Sequence, residues 1–233
     1  MSPAPPPPRY ARSPSPAAAG ADAKLRAPSQ RLYLVTPALE DPKTFLPDLE
    51  AALGAGDVAA VLLRLADADE RSLVNCAKAV AAAVHRRDIA LLLDNRPDIV
   101  GRADADGAHV AGIEAFAAAL ASLKPDRIAG AGGLHSRHEA MLAGETGADY
   151  VMFGDPDRRG HRPPFEIIEE RIVWWAELVE IPCIGYAAQA DEVRPLARSG
   201  ADFVALGDWI WTHPEGAAAA VALAAGDLAA PAS

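Results

Sequence analysis

The stretch that decides the fold is Gly147–Val151, which reads GADYV and is followed by Gly154. It recurs at Gly200–Val204 as GADFV, and more weakly at Asp106–Val110 as DGAHV. In each copy a glycine or aspartate can end a helix, an apolar strand follows, and a small residue opens the next loop. The recurrence therefore predicts a strand and helix unit that is repeated along the chain.

Short apolar runs alternate with segments of helical period on both sides of these copies. Runs this short and continuously apolar are typical of parallel strands that are covered on both faces. The predicted strands are Leu32–Thr36, Asp57–Leu63, Ile89–Leu93, Gly107–Val110, Asp126–Gly130, Asp149–Phe153, Pro182–Tyr186 and Asp202–Leu206. The predicted helices include Glu70–His85, Ser136–Ala143, Phe165–Leu178 and Asp208–Ala224, with Asp69, Ser136 and Asp208 as N-cap residues.

Eight strand and helix pairs with an internal echo predict an α/β fold of the closed (β/α)8 TIM barrel type, in one domain. The alternative is a doubly wound open sheet. Such a sheet normally carries a glycine-rich fingerprint after its first strand, and Leu34–Pro37 has none. The barrel is therefore the preferred interpretation.

Composition divides the 233-residue chain near residue 30. Residues 1–30 hold eight of the 20 prolines, and a segment with so little apolar surface is predicted to be a disordered Pro/Ala-rich tail. The barrel is expected over residues 31–225, with a flexible C-terminus at 226–233.

Charge excludes one broad class of function. The chain has 22 Lys and Arg against 32 Asp and Glu, a formal net charge of -10. Binding to nucleic acid or to an anionic membrane needs clustered cations, so neither is expected as a partner. No apolar stretch is long enough to cross a bilayer.

The two cysteines, Cys76 and Cys183, lie in a predicted helix and a predicted strand without metal-ligand spacing. Two buried thiols in a reducing compartment are the simplest interpretation, which predicts a cytoplasmic protein.

Polar side chains follow most of the predicted strands, and in a (β/α)8 barrel the carboxyl ends of the strands form the active site. The candidates include Arg64, Arg96, His109, Glu114 and His135. Each of them has a rival interpretation as an ordinary residue of the barrel rim. His135 in particular could simply cap a helix or face solvent, and a metal pair with His138 is disfavoured because no third ligand has suitable spacing.

Five motifs, in order and spread over residues 31–211, resemble the thiamine phosphate synthase and TenI (thiazole tautomerase) family. The family patterns are R-L-Y-L-V-T-D, Q-L-R, N-D-R, D-G-V-H-L and H-S or H-T. The corresponding residues are Arg31–Thr36, Leu62–Arg64, Asp94–Arg96, Asp106–Val110 and His135–Ser136, with Pro37 where the first motif ends in aspartate. The stretch Gly147–Gly154 is similar to the tautomerase branch.

The resemblance implies a role for each matched position. His135 matches the acid/base of the tautomerases, and imidazole suits proton transfer near neutral pH. Glu114 stands at a metal-binding position, and Mg²⁺ is expected only if synthase activity is retained. The ligand is expected to be a small phosphorylated heterocycle, whose binding residues would be Arg64, Asn95, Arg96, His109, Gly133, Ala187 and Ala188.

Several family positions have changed. The glutamine of Q-L-R is Leu62, the aspartate of N-D-R is Asn95, and the serine after strand eight is Asp208. The family's two glycines after strand seven are Ala187 and Ala188. These changes affect the groups that would hold a diphosphate, a metal and a phosphate.

The preferred prediction is therefore a family member of thiamine biosynthesis that transfers protons as a thiazole tautomerase does. One alternative is the synthase itself, which joins a pyrimidine diphosphate to a thiazole phosphate and releases pyrophosphate. The other is a family member without catalysis that binds a ligand or a partner. Barrels of this size often pair, so a homodimer is also expected.

Overall fold

A computed structural model of the chain describes residues 30–157 and 159–229. Eight parallel strands form one closed barrel in which each strand pairs with the next along the chain and β1 pairs with β8. This confirms the (β/α)8 barrel. The strands are β1 (Arg31–Val35), β2 (Val58–Leu63), β3 (Ala90–Asp94), β4 (Gly107–Ala111), β5 (Ile128–Gly132), β6 (Tyr150–Phe153), β7 (Cys183–Ala187) and β8 (Phe203–Leu206).

In the part of the chain that the structure describes, seven α-helices surround these strands, and a short 3₁₀ turn follows each of β3, β7 and β8. The α-helices are α1 (Leu46–Leu53), α2 (Glu70–His85), α3 (Ile113–Leu123), α4 (Arg137–Thr146), α5 (Phe165–Leu178), α6 (Val193–Arg198) and α7 (Ala217–Ala229). The 3₁₀ turns are Pro97–Ile99, Ala190–Glu192 and Asp208–Thr212. The predicted bounds of α2 and α5 are confirmed. So are two N-caps, since Asp69 accepts from the Ser72 N–H and Ser136 from the Glu139 N–H.

The aspartate in each copy of the repeat holds two neighbouring strands together. Asp106, Asp149 and Asp202 stand just before β4, β6 and β8. Their carboxylates accept from the backbone N–H groups of Leu91 in β3, Ala129 in β5 and Cys183 in β7, at 2.8, 2.7 and 2.8 Å. Each carboxylate therefore satisfies a donor near the amino-terminal end of the preceding strand, which fixes the register of that strand pair.

Two apolar layers lie on either side of the barrel wall. The outer layer joins the strands to the helices, while the inner layer fills the barrel and contains Tyr33, Tyr150 and Tyr186. Glycines make room for the inner rings: a Cβ at Gly130 would lie 2.0 Å from Tyr150 Cζ, and one at Gly207 would lie 2.5 Å from the Tyr186 hydroxyl. Large and small residues therefore alternate inside the barrel.

Both cysteines are buried and unpaired, as the sequence predicts. Burial raises the pKa of Cys76 to about 11 and that of Cys183 to about 12. Both side chains therefore remain protonated thiols near neutral pH.

The predicted helix Asp208–Ala224 is wrong, and so is the assignment of Asp208 as its N-cap. Asp208 instead opens a 3₁₀ turn, and α7 starts at Ala217. Pro214 disfavours helix at the preceding residue, and Gly216 has φ of +85°, so the chain is interrupted between the two elements.

The fifth strand lies two residues later than predicted. Its pairing with β4 joins Gly107 to Ile128 and Ala111 to Gly132. Gly132 and its neighbours are alanines and glycines, which give no strand signal of their own, so the ladder with β4 sets the strand's end.

At the chain ends, α7 continues to Ala229, whereas the sequence places the end of the barrel at 225. The predicted tail at 1–29 and the last residues, 230–233, lie outside the described residues. No helix in the described part of the chain is long and apolar enough to span a membrane.

We expect Asp202→Ala to lower the free energy of unfolding by about 1 to 3 kcal/mol, because it leaves the Cys183 N–H without its acceptor. Asp191→Ala is the matched control, an exposed aspartate expected to change stability by less than about 0.5 kcal/mol. Urea unfolding followed by circular dichroism measures both. Equal effects of the two substitutions would contradict the role assigned to the repeated aspartates.

Candidate functional site

A cavity of about 680 Å³ opens at the carboxyl ends of the strands. Residues from seven of the eight strand ends and from α5 reach it, and both signs of charge are present. Among the described residues its polar lining consists of Arg64, Asp94, Asn95, His109, His135, Asp155, Asp157, His161, Arg162, Arg171, Tyr186 and Asp208. Barrel closure alone places these distant parts of the chain around one space.

A column of hydrogen-bonded rings supports the floor of the cavity. The hydroxyl of Tyr150 lies 3.0 Å from the Tyr33 hydroxyl and 3.0 Å from Nδ1 of His109. The rings of His109 and Tyr150 stack with centroids 5.7 Å apart. Burial strongly raises the pKa of Tyr150, so its hydroxyl stays protonated.

His109 is 2% exposed, and its Nε2 has no hydrogen-bond partner among the described residues. A Cβ at Gly132 would lie 2.2 Å from this nitrogen, so only glycine fits beside it. A buried ring nitrogen without a partner, in a residue that lines a cavity, is available to a polar ligand atom.

Asp155 fixes the loop that follows β5. Its Oδ2 accepts the N–H of Gly133 at 2.9 Å. Gly133 has φ of +60°, a left-handed conformation that glycine adopts without strain. The carboxylate and the turn together form one wall of the cavity.

Arg64 and Asp208 form an ion pair across the mouth at 3.1 Å. Burial opposes the charge of Arg64, but Tyr186, Asp208 and Asp94 outweigh it, so the pKa of Arg64 is raised and the group stays a cation. Burial also raises the pKa of Tyr186 despite the nearby Arg64, which keeps the phenol neutral. Asp208 therefore serves as a partner of Arg64, not as the helix cap that the sequence predicts.

Arg162, from the loop between β6 and α5, forms a second ion pair. Its Nη1 lies 2.8 and 2.9 Å from the two carboxylate oxygens of Glu192, and its Nη2 donates to the Tyr186 carbonyl at 3.1 Å. Glu192 Oε2 also accepts the N–H of Ala188 at 2.7 Å. These bonds tie the loop after β6 to the loop after β7.

The backbone around His135 is held from both sides. Its N–H donates to Glu139 in α4, and its carbonyl accepts from Arg171 in α5 at 2.7 Å. Arg171 also donates to the Leu134 carbonyl at 3.1 Å. His135 is exposed, lines the cavity and directly precedes the N-cap Ser136.

The structure brings together five of the residues predicted for the site: Arg64, Asn95, His109, Gly133 and His135 all line the cavity. Four others do not line it: Arg96, Glu114, Ala187 and Ala188.

Each of these four has a physical reason for its position. Arg96 follows a turn at Asn95, whose φ is +53°, and its guanidinium pairs with Asp98 at 2.8 Å. Glu114 is exposed in the first turn of α3. Ala187 is buried in β7, and the N–H of Ala188 is taken by Glu192.

The residues at the family's metal positions do not fit Mg²⁺. The Asn95 side chain is already engaged, since its Oδ1 accepts the N–H of Ala111 at 2.8 Å and its Nδ2 donates to Asp94. Glu114 lies away from the cavity lining. Across residues 30–157 and 159–229, no group of three or more His, Cys, Asp and Glu side chains has the geometry to hold a metal ion.

Sequence reasoning missed Arg162, Arg171 and Glu192. Arg162 lies in the loop after β6, next to Pro163 and Pro164. Its position after a strand is the one feature of the sequence that could have identified it as a site residue. Arg171 lies within α5, and its helical position gives no sign that it reaches the cavity.

Comparison with known proteins agrees with this geometry. A family profile described as thiamine monophosphate synthase matches residues 32–210. The thiamine-phosphate synthase of Rhodospirillum centenum is 43% identical over 195 residues, 82% of this chain and 94% of that protein. The thiamine-phosphate synthase of Hyphomonas neptunium is 36% identical over 206 residues, 83% of this chain and 91% of that protein.

Solved structures support the fold. Thiamine phosphate pyrophosphorylase from Pyrococcus furiosus superimposes with a TM-score of 0.71 at 22% identity, covering 86% of this chain and 96% of that one. A 3-hexulose-6-phosphate synthase gives a TM-score of 0.65 at 14% identity, covering 85% and 100%. At these identities the likeness concerns the barrel alone.

We expect Tyr150→Phe to lower the free energy of unfolding by about 1 to 3 kcal/mol, because it removes the hydroxyl shared by His109 and Tyr33 and leaves the buried Nδ1 of His109 without that partner. Thermal or urea unfolding measures the loss. NMR of the His109 ring nitrogens should also report a changed tautomer balance. A variant as stable as the parent, with an unchanged His109 spectrum, would show that the column has no structural role.

Proposed function

The chain belongs to the thiamine monophosphate synthase family, and we propose that it is a thiamine-phosphate synthase, which joins a pyrimidine diphosphate to a thiazole phosphate. The observation that carries the proposal is one cavity lined by both guanidinium and carboxylate groups at the barrel mouth. The names of the relatives favour this activity over the tautomerase activity that the sequence analysis prefers.

The reaction separates charge, and the cavity has groups for both signs. The bond between the pyrimidine methylene carbon and the diphosphate oxygen breaks, and pyrophosphate leaves with the electron pair. The thiazole nitrogen lone pair forms the new carbon–nitrogen bond and becomes a positively charged thiazolium. No proton is gained or lost in these two steps.

Arg64 is the cation best suited to the departing pyrophosphate, since it is held at the mouth by an exposed partner that a ligand can replace at small cost. Asp94 and Asp155, which also line the cavity, suit the positive charge that develops on the methylene and on the thiazolium. Preorganised charges of this kind stabilise a transition state without reorganisation during the reaction. We route no step through a metal, because the residues at the family's metal positions do not fit one.

Phosphate-type recognition by Ala187 and Ala188, and binding by Arg96, stay predictions, as do the homodimer and the cytoplasmic location. The proposed ligand contacts are therefore Arg64, Asn95, His109 and Gly133, which line the cavity together.

A second candidate function is the tautomerase, favoured by one observation. His135 lines the same cavity, and its backbone is fixed at both the N–H and the carbonyl. An imidazole at that position can take a proton from one ring carbon and return one to another. A ligand-binding protein without turnover is the outcome if neither activity is found.

The synthase proposal predicts that the purified chain forms thiamine phosphate from the two substrates, detected by thiochrome fluorescence and by released pyrophosphate. Mg²⁺ is included, so that its omission does not explain a negative result. Arg64→Gln should lower kcat/KM about 100-fold, since it removes a charge from the leaving group. Arg102→Gln, an exposed arginine outside the lining, is the matched control and should change kcat/KM little. No turnover by the parent, or equal losses in both variants, would reject the proposal.

His135→Asn separates the two activities. If the chain is a synthase, the variant should keep kcat within about tenfold of the parent, because the coupling needs no proton shuttle. Tautomerase turnover, followed by NMR of the thiazole carboxylate phosphate, should be lost. Loss of coupling in this variant would make His135 part of the synthase chemistry and contradict the mechanism given above.

A further inference from the structure

The two arginine–carboxylate pairs at the mouth differ in burial. In the first pair the side chains of Arg64 and Asp208 are 23% and 65% exposed, whereas in the second those of Arg162 and Glu192 are 18% and 12% exposed. A pair with an exposed carboxylate opens at lower cost than a pair with two buried partners, because the exposed carboxylate is solvated when it leaves and the buried one is not. Arg64 and Arg162 are therefore not equally available to a ligand.

The atoms that hold Glu192 are the kind that hold a phosphate group. Its carboxylate receives bonds from the Arg162 guanidinium at 2.8 and 2.9 Å and from the Ala188 N–H at 2.7 Å. Guanidinium and backbone N–H groups bind phosphate oxygens in the same way. Ala188 directly follows β7, and the loops after strands seven and eight commonly form the phosphate site of a (β/α)8 barrel.

We propose that Glu192 is a built-in anion that occupies a phosphate position at this mouth and competes with a ligand phosphate for Arg162 and the Ala188 N–H. Glu192 thereby determines specificity: the parent chain binds an anion weakly on the β7 side of the mouth, and Arg64 is left as the cation for the ligand. The inference rests on the proposed function only in that the mouth receives a phosphorylated ligand.

The surrounding contacts agree with a fixed carboxylate and a fixed guanidinium. Arg162 donates to the Tyr186 carbonyl, and its guanidinium lies 6.0 Å from the centroid of the Tyr186 ring. Its Nε is buried without a partner in the described part of the chain. Arg162 itself lines the cavity, so an anion that replaced Glu192 would meet a cation already in place.

The test is Glu192→Gln, which keeps the shape of the side chain and removes its charge. Inorganic phosphate is the probe, measured by calorimetry at constant ionic strength against chloride. The variant should bind phosphate about tenfold more tightly than the parent, because the competing like charge is gone. Its Tm should rise with phosphate concentration more steeply than that of the parent, since binding to the folded state stabilises it.

Asp191→Asn is the matched control. It removes the same charge from the neighbouring exposed residue, so it reports any general electrostatic effect. Unchanged phosphate affinity in Glu192→Gln, or an equal gain in both variants, would overturn the proposal. The measurement involves no turnover. A chain without synthase activity would therefore contradict the proposed function, while this inference would still be tested by phosphate binding.

If Glu192→Gln does not fold, the competition between Glu192 and phosphate can be tested in the parent chain by NMR. The amide resonance of Ala188 should move only at phosphate concentrations about tenfold above those that shift the resonances around Arg64, because Glu192 already holds that N–H. An Ala188 resonance that moves and saturates at the same low phosphate concentration, or one that does not move at any concentration, would show that Glu192 does not compete with phosphate, and the proposal would fail.

Discussion

Three partly buried bonds from aspartate to backbone hold the sheet in register. Asp106, Asp149 and Asp202 each precede one strand and accept an N–H from the strand before it. They join β3 to β4, β5 to β6 and β7 to β8, so the same device recurs every second strand. The pairing of β1 with β8 then closes the ring. A slip of one residue in any of these pairs would turn inward-facing side chains outward and scatter the groups at the mouth.

The same device explains why the fold was predictable. The GAD repeat is visible in the sequence because the aspartate does the same work at Gly147–Val151 and at Gly200–Val204. Helices with strong local signals were predicted to the residue, as α2 and α5 show. Two predictions were wrong where the sequence gives no clear local signal. The helix predicted from Asp208 is interrupted at Pro214 and Gly216. The bounds of β5 are set by its pairing with β4, because its own glycines and alanines do not define a strand.

The site was less predictable than the fold. Strand ends identify residues such as Arg64, His109 and His135, because closure brings all strand ends to one mouth. The sequence does not show which groups these side chains bond to at the mouth. Asp208 was predicted from its local sequence to cap a helix, yet it pairs with Arg64, 144 positions away along the chain. Arg162 and Glu192 pair across two loops, and nothing in either loop alone indicates the other. Side-chain pairing between distant loops is set by the assembled barrel, which no window of sequence contains.

The mixed lining of the mouth also bears on how fast a ligand arrives. Among the described residues, four aspartates and three arginines line the cavity, in a chain of formal net charge -10. A polyanion approaching this protein therefore meets repulsion at long range and attraction only at contact. The net charge works against electrostatic guidance, which speeds encounter in many phosphate-binding proteins. Added salt would screen the repulsion, so the association rate constant for a diphosphate should rise with ionic strength where guided encounters slow down.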